Sequence, residues 1–182
     1  MSQYPISKEF FPFTYLKPPM NEPFLKLAAL GMKTPKFLYQ DYLLDVQRYE
    51  VKSYDQEEIE VFVISPKNCD DLLPCLLYFH GGGFVLKAAS YHYQNAMTYA
   101  KECPCKVVFV NYRLAPKYPF PTFLKDGYAA MEWLYQNVNQ LKIDKKRIGI
   151  GGDSAGASIA AGVCTMARDY HHPIPFSYQM LV

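Results

Sequence analysis

Gly152-Asp153-Ser154-Ala155-Gly156 follows a short apolar stretch and leads into a run of small residues. A strand, a tight turn with a central serine and a helix are typical of a nucleophile elbow, in which the turn exposes the serine hydroxyl. The two glycines permit the strained backbone and the close approach of the helix to the strand. Ser154 is therefore predicted to be a nucleophile, and the N–H of Ala155 is predicted to point at a developing oxyanion. Asp153 is expected to point away from the nucleophile and to support the turn.

A glycine-rich loop upstream of this turn supplies a second signal. His80-Gly81-Gly82-Gly83 ends the apolar run of residues 75–79, and glycines leave backbone N–H groups open to a substrate oxygen. By itself such a triplet is more typical of a flexible exit from a strand, but beside the elbow it indicates the other half of an oxyanion hole. His80 is expected to be a structural hydrogen-bonding residue of this loop rather than a base.

Three sequence blocks, in this order, resemble the hormone-sensitive-lipase-like branch of α/β-hydrolase esterases. They are HGGGF at 80–84, YRLAPKYPFP at 112–121 and GDSAGAS at 152–158. The resemblance implies a serine carboxylesterase without cofactor or metal, in which Ser154 attacks a small acyl ester. It also implies that the N–H groups of Gly82, Gly83 and Ala155 hold the oxyanion. The chain departs from the family at positions 157 and 158, where Ala and Ser replace the usual Gly and Asn.

The middle block has a structural interpretation. Arg113 follows the end of a predicted strand and is expected to hold a carboxylate through two parallel hydrogen bonds, with Asp126 and Asp153 as the candidates. The prolines of this block stiffen the crossing to the next helix. The loop is therefore expected to support the elbow without touching the substrate.

The alternation of apolar and polar residues predicts an α/β fold. Two antiparallel strands are followed by strands and helices in turn, and the later strands are continuous apolar runs, which are typical of a parallel sheet buried on both faces. Strands are predicted at 46–54, 57–64, 75–79, 107–111, 147–151 and 175–182, and helices at 91–102, 121–141 and 154–169. The expected architecture is a three-layer sandwich of the α/β-hydrolase type with its site at the carboxyl ends of the strands.

Residues 1–45 differ from the rest because they are rich in aromatics and proline and contain helical patterns near 22–31 and 34–44. The resemblance implies that they form a cap-like helical segment, and that residues 46–182 form a partial hydrolase core. Four apolar side chains of this segment either line an acyl pocket or pack on the core; they are Phe24, Leu27, Phe37 and Leu38.

Triad partners for Ser154 are expected to be missing. α/β-Hydrolases supply the acid and then the histidine well downstream of the elbow, and this sequence stops inside an apolar run, so we expect the fold to be truncated before its last strands. Asp169, His171 and His172 fall at the far end of the helix that Ser154 begins, about 22 Å away, and are predicted to lie in a surface turn. His92, in the helix after the glycine loop, is predicted to be a surface residue.

Two alternatives to a complete enzyme follow from that expectation. One is a non-catalytic scaffold that binds a small molecule, as in the plant gibberellin receptors that resemble this family. The other is one part of a split enzyme, in which a complementary chain supplies the acid and the base. An exposed apolar edge at Leu181 and Val182 favours such a chain, or a homo-oligomer, as partner.

Composition limits the remaining functional classes. The net charge of +2 over 182 residues argues against a nucleic-acid surface. No apolar run is long enough to span a membrane and the N-terminus lacks the layout of a signal peptide, so a cytoplasmic location without membrane contact is expected. The five cysteines fit reduced thiols, and Cys103-Pro104-Cys105 lacks the spacing of a zinc site. A dinucleotide-binding fingerprint fails because serine stands at position 154 where a glycine is needed.

Overall fold

The predicted strands form a six-stranded sheet in the computed structural model, which describes residue 23 and residues 32–69, 71–171 and 176–182. In sequence order the strands are β1 (Leu44–Lys52), β2 (Glu58–Pro66), β3 (Leu73–Phe79), β4 (Lys106–Asn111), β5 (Ile143–Gly152) and β6 (Tyr178–Leu181). Across the sheet their order is β1-β2-β4-β3-β5-β6. The α-helices among these residues are α1 (Ser90–Glu102), α2 (Thr122–Asn137) and α3 (Ala155–Asp169).

The sheet is mostly parallel, as the apolar strands predicted. Strands β1 and β2 form an antiparallel hairpin, and β2 also runs antiparallel to β4. Strands β4, β3, β5 and β6 are parallel to their neighbours. Parallel neighbours require crossovers, and helices α1, α2 and α3 supply them.

The helices cover both faces of the sheet and produce the expected three-layer sandwich. Helices α2 and α3 bury apolar side chains, such as Leu134 and Ile159, against one face together with alternate residues of the strands. Helix α1 covers the opposite face, where Tyr93 and Ala96 pack against Phe109. Because both faces are covered, the central strands are apolar throughout, and this explains their continuous apolar runs.

The segment that precedes β1 differs from its prediction. A single turn of 3-10 helix (Lys36–Tyr39) replaces the expected helix over residues 34–44. Asp41 ends the turn, because its Oδ1 atom accepts the N–H of Leu43 at 2.9 Å. Strand β1 then begins at Leu44. A short polar side chain that bonds its own backbone competes with helical hydrogen bonding in this way.

Two of the proposed acyl-pocket residues belong to the core. Leu38 is fully buried in the cluster on the α1 face of the sheet, and Phe37 packs against the same cluster. The core interpretation is therefore correct for both. Phe24, Leu27 and the predicted helix at 22–31 lie outside the described residues, and the division into residues 1–45 and 46–182 stays a prediction.

A buried ion pair fixes the loop that follows β4. The carboxylate of Asp126 is fully buried on α2, and its Oδ1 atom lies 2.6 Å from Nη2 of Arg113. The backbone N–H of Arg113 and the hydroxyl of Ser53 also donate to this carboxylate, at 2.9 and 2.6 Å. Asp55 accepts a further bond from Arg113 at 2.8 Å. Of the two carboxylates proposed from the sequence, Asp126 is the partner of Arg113 and Asp153 is not.

We expect the variant Arg113→Met to lose about 3–5 kcal/mol of stability, because it leaves the Asp126 carboxylate buried without its counter-ion. The double variant Arg113→Met/Asp126→Leu removes both charges and is expected to lose less than the single variant. Urea unfolding at pH 7 measures both changes. Equal losses in the single and double variants would contradict this account.

Candidate active site

Ser154 occupies the turn between β5 and α3 with an unusual backbone conformation. Its φ is 53° and its ψ is −113°, a conformation that costs a non-glycine residue about 1–3 kcal/mol unless its surroundings impose it. Two backbone hydrogen bonds hold the turn: Ser154 N–H donates to the oxygen of Val182 at 2.6 Å, and Gly156 N–H donates to the oxygen of Asp153 at 2.8 Å. The residue Ser154 is exposed, as a nucleophile requires.

The parallel register of β3 and β5 brings the two glycine-containing motifs together. Phe79, the last residue of β3, is paired with Gly152, the last residue of β5. Helix α3 begins so close to β3 that a Cβ atom on Gly156 would lie 2.1 Å from the oxygen of Phe79. Only glycine fits at position 156, because the neighbouring atoms are backbone. The same register places the carbonyl oxygen of Asp153 within 3.0 Å of a Cβ built on Gly81.

Asp153 supports the turn through its side chain. Its Oδ2 atom accepts a short hydrogen bond from the hydroxyl of Tyr78, which is fully buried on β3. Burial and the neighbouring carboxylate raise the pKa of Tyr78 far above its ordinary value, so the hydroxyl remains a donor. Sequence reasoning missed Tyr78, because the residue lies in an apolar run and no local pattern distinguishes its hydroxyl.

The glycine loop has a backbone that most side chains would prevent. Gly82 and Gly83 have φ values of 124° and 60°, which belong to the region that favours glycine. A Cβ atom on Gly82 would also lie 2.7 Å from the oxygen of Leu86. The oxygen of Gly82 accepts the N–H groups of Val85 and Leu86 at 3.1 and 2.9 Å, so this carbonyl group is bound within the loop.

The backbone N–H groups near the serine turn are of two kinds, bound and unbound. The N–H of Gly81 donates to Nε2 of His92 at 3.2 Å. By contrast, the N–H groups of Gly82, Gly83 and Ala155 have no hydrogen-bond acceptor among the described residues. Ala155 is buried and Gly82 is half-buried, and N–H groups in such positions are normally paired, whereas Gly83 is exposed to water. Three unpaired donors at one edge of a sheet, beside an exposed serine, therefore form an arrangement that can receive a negatively charged oxygen.

His80 is buried at the start of the loop. Its ring stacks on Tyr112 with a centroid distance of 4.4 Å, and its Nδ1 lies 2.6 Å from the oxygen of Gly81. Burial lowers the pKa of His80 to about 4, so the ring is neutral at pH 7 and Nδ1–H is the donor to Gly81. The ring therefore contacts the loop backbone, which agrees with a structural role and not with that of a base.

The prediction that His92 lies on the surface is wrong. Its exposed fraction is 2%, because it shares a helix face with Ala96 and Ala100 at spacings of four residues, and this face packs on the sheet. The spacing was the signal that could have identified it. Burial also lowers the pKa of His92.

The candidates at the end of α3 lie far from the serine along the helix, as predicted. Asp169 is exposed and pairs with Arg168 at 2.8 Å. His171 is exposed in the turn after the helix. His172 lies outside the described residues.

Comparison with known proteins identifies the family. A family model described as the alpha/beta hydrolase fold matches residues 76–182. The chain belongs to the α/β-hydrolase family. The resemblance to its esterase branch is supported by carboxylesterase NlhH of Mycobacterium tuberculosis, which is 37% identical over 150 residues, or 82% of this chain and 46% of NlhH. Neutral cholesterol ester hydrolase 1 of Mus musculus is 38% identical over 114 residues, or 60% of this chain and 28% of that protein.

Solved structures of esterases have the same fold as this α/β-hydrolase chain. A bacterial heroin esterase superposes with a TM-score of 0.74 at 32% identity and covers 80% of this chain and 46% of its own. A hyperthermophilic esterase from the archaeon Pyrobaculum calidifontis superposes with a TM-score of 0.71 at 33% identity and covers 79% of this chain and 46% of its own. The chain thus spans less than half the length of these relatives.

Other kinds of site are not visible in the part of this hydrolase chain that the structure describes. No cluster of three His, Cys, Asp or Glu side chains in this part could hold a metal ion. None of the five cysteines forms a disulfide. Burial raises the pKa of the Cys105 thiol to about 11. No described helix combines the length and the apolar character that crossing a bilayer requires.

The burial of His80 predicts a pH dependence of stability. The folded chain keeps this ring neutral down to about pH 4, whereas the unfolded chain binds a proton below about pH 6.5. The contribution of His80 to the free energy of unfolding is therefore fully present above pH 6.5 and is lost, up to about 3 kcal/mol, as the pH is lowered toward 4. Urea unfolding between pH 7 and pH 4 measures this decrease.

The variant His80→Gln is the control for this prediction, because its side chain does not titrate. We expect its stability to fall less steeply between pH 6.5 and pH 4 than that of the wild-type chain. His92 and the carboxylates titrate in both proteins and cancel in the comparison. Identical slopes in the two proteins would contradict a neutral, buried His80.

Proposed function

We propose that this chain carries the nucleophile and the oxyanion hole of a serine carboxylic-ester hydrolase. The observation on which the proposal rests is the combination of an exposed Ser154 in a strained turn with the three unpaired N–H groups of Gly82, Gly83 and Ala155 at the same edge of the sheet. Acyl transfer needs both: an oxygen nucleophile and donors aimed at the oxygen on which negative charge develops.

The reaction follows from these positions. The Oγ atom of Ser154 attacks the acyl carbon of an ester, its proton passes to a base, and the carbonyl oxygen becomes an oxyanion that accepts the N–H groups of Gly82, Gly83 and Ala155. When the carbonyl group re-forms, the bond to the alcohol breaks and the alcohol leaves with a proton. Water then attacks the acyl-enzyme and releases the acid and the free serine. Each donor of such an oxyanion hole contributes about 3 kcal/mol to the stability of the transition state.

Known relatives support an ester as the substrate. The proteins that this chain resembles are named carboxylesterase, arylesterase and heroin esterase, which have the cleavage of an ester in common. We propose small acyl esters as the substrate class of this chain. The cytoplasmic location, the absence of nucleic-acid and membrane partners, and a homo-oligomer or complementary chain as partner remain predictions from the sequence.

We further propose that the described residues do not include the base. His80 bonds the oxygen of Gly81, His92 receives the N–H of Gly81, and His171 is exposed beyond the far end of α3. Loss of the base from a Ser-His-Asp triad lowers kcat by about 10⁶-fold in subtilisin, and about 10³- to 10⁴-fold over water survives. The 182-residue chain is therefore expected to be nearly inactive by itself.

Added imidazole tests the proposal because it supplies the missing base from solution. After the rate with imidazole alone is subtracted, we expect the 182-residue chain plus imidazole to hydrolyse p-nitrophenyl acetate and butyrate at least about 10-fold faster than Ser154→Ala. This is the lower end of what a base contributes, because a positioned base contributes about 10²- to 10⁴-fold and imidazole in solution is not positioned. The variant Ser158→Ala removes another exposed hydroxyl one turn further along α3 and is expected to match the wild-type chain. Release of p-nitrophenol measures all three rates.

The outcomes separate the candidate functions. Equal rates for the wild-type chain and Ser154→Ala in imidazole would overturn the nucleophile and favour the non-catalytic scaffold, in which the free N–H groups bind a carboxylate ligand. Fast hydrolysis that depends on Ser154 without imidazole would support the nucleophile and show that the chain, or a second copy of it, already contains a base.

A further inference from the structure

One N–H group of the glycine loop is bound while its two successors are free. The N–H of Gly81 donates to Nε2 of His92 at 3.2 Å, and this hydrogen bond is buried. Gly82 and Gly83 follow immediately, with N–H groups that have no acceptor among the described residues. The bond to His92 is thus the last fixed point of the backbone before the two donors proposed for the oxyanion hole.

The ring of His92 is itself held rigidly. It lies in the first turn of α1, with an exposed fraction of 2%, and its Nδ1 lies 3.0 Å from the backbone N of Ala89. The ring of Tyr91 lies on one side with a centroid distance of 3.9 Å, and that of His80 lies 5.6 Å away. Helix α1 packs on the sheet through Tyr93 and other buried residues. The core of the protein therefore fixes the position of Nε2 through α1.

Only one nitrogen of the His92 ring can be an acceptor. A neutral imidazole has one N–H and one acceptor nitrogen, so it accepts the N–H of Gly81 or that of Ala89, but not both. The contact with Gly81 is buried and that with Ala89 is only partly buried. A buried donor without a partner costs about 1–3 kcal/mol, whereas a partly exposed N–H is accessible to water. The tautomer with the acceptor on Nε2 and the proton on Nδ1 therefore pairs the buried donor. The N–H of Ala89, which then faces Nδ1–H, must turn toward water.

The rest of the loop is fixed beyond the two free donors. Leu86 N–H binds the oxygen of Gly82 at 2.9 Å, and Ala115 N–H binds the oxygen of Phe84 at 2.9 Å. These bonds hold the carbonyl groups that follow the donors, and His92 holds the N–H group that precedes them. With glycine at both intervening positions the backbone has no side chain to restrict it, so the direction of the two free N–H groups depends on the bonds at the ends.

We propose that His92 is a positioning residue of the active site, whose Nε2 accepts the N–H of Gly81 and thereby aims the N–H groups of Gly82 and Gly83 at the oxyanion formed at Ser154. The residue acts through the loop and does not touch the substrate. This inference rests on the proposed function, because the oxyanion forms only if Ser154 is the nucleophile.

Two variants separate the acceptor from the rest of the side chain. In His92→Gln the amide oxygen reaches the position of Nε2, and in His92→Asn it reaches the position of Nδ1. The first retains an acceptor for Gly81, whereas the second has none at Gly81 and places one at Ala89. Both remove the ring and its contacts with the rings of Tyr91 and His80, so a purely structural role of the ring affects the two variants in the same direction.

The first measurement is hydrogen exchange of the Gly81 amide in the 182-residue chain, which needs no activity. The second is the rate at which diethyl p-nitrophenyl phosphate modifies Ser154 in the presence of imidazole, followed by intact mass spectrometry with Ser154→Ala as the blank. In His92→Asn we expect the Gly81 amide to exchange at least 10-fold faster. We also expect modification to be about 10- to 100-fold slower, since misplacing catalytic groups by about 1 Å costs up to about 10²-fold. In His92→Gln we expect both the exchange of the Gly81 amide and the rate of Ser154 modification to remain near those of the wild-type chain.

Unchanged protection of Gly81 in His92→Asn would overturn the proposal, as would equal slowing of modification in the two variants. The proposal is supported if protection of the Gly81 amide is lost in His92→Asn and retained in His92→Gln, and if Ser154 is modified more slowly in His92→Asn than in His92→Gln. If Ser154 is not modified even in the wild-type chain, the proposed function fails. Hydrogen exchange then decides alone whether Nε2 holds Gly81.

Discussion

The register between β3 and β5 is the constraint on which the rest of the site depends. Pairing of Phe79 with Gly152 places the exit of one strand beside the exit of the other, so the glycine loop and the serine turn meet at one edge. Parallel strands end at the same edge by necessity, and loops that follow them share a crevice. A shift of the register by one residue would separate the motifs and reverse the faces of the side chains. The close contact of Gly156 with Phe79 makes such a shift costly.

Around this edge, some polar groups have hydrogen-bond partners within the protein and others do not. The carboxylate of Asp153 is bound by Tyr78, and the carbonyl oxygen of His80 is bound by the hydroxyl of Tyr112 at 2.7 Å. The backbone N–H of Gly81 is bound by His92. These bonds leave the two neighbouring glycine N–H groups and that of Ala155 as donors without acceptors in the described part of the chain. Under the proposed function, these bonds hold the neighbouring backbone in place before charge develops on the substrate oxygen.

Most of the fold was predictable, and the misses have local causes. The parallel strands were visible because strands buried on both faces are apolar along their whole length. The helix expected over residues 34–44 is mostly a loop and the start of β1, since Asp41 binds a neighbouring N–H and the sheet hydrogen bonds of β1 begin at Leu44. His92 was expected to be a surface residue. Its burial follows from the packing of α1 and from the two N–H groups that face its ring.

The sequence by itself determined the serine turn, the glycine loop and the order of strands and helices, because a positive φ, a close backbone approach and a buried face each demand particular residue types at particular positions. Only the tertiary structure decided which partner each polar group has. Arg113 binds Asp126 and not Asp153, Asp153 binds Tyr78, and His92 binds the glycine loop. Hydrogen bonds act over about 3 Å, and residues distant in sequence come that close only when the sheet has set their positions.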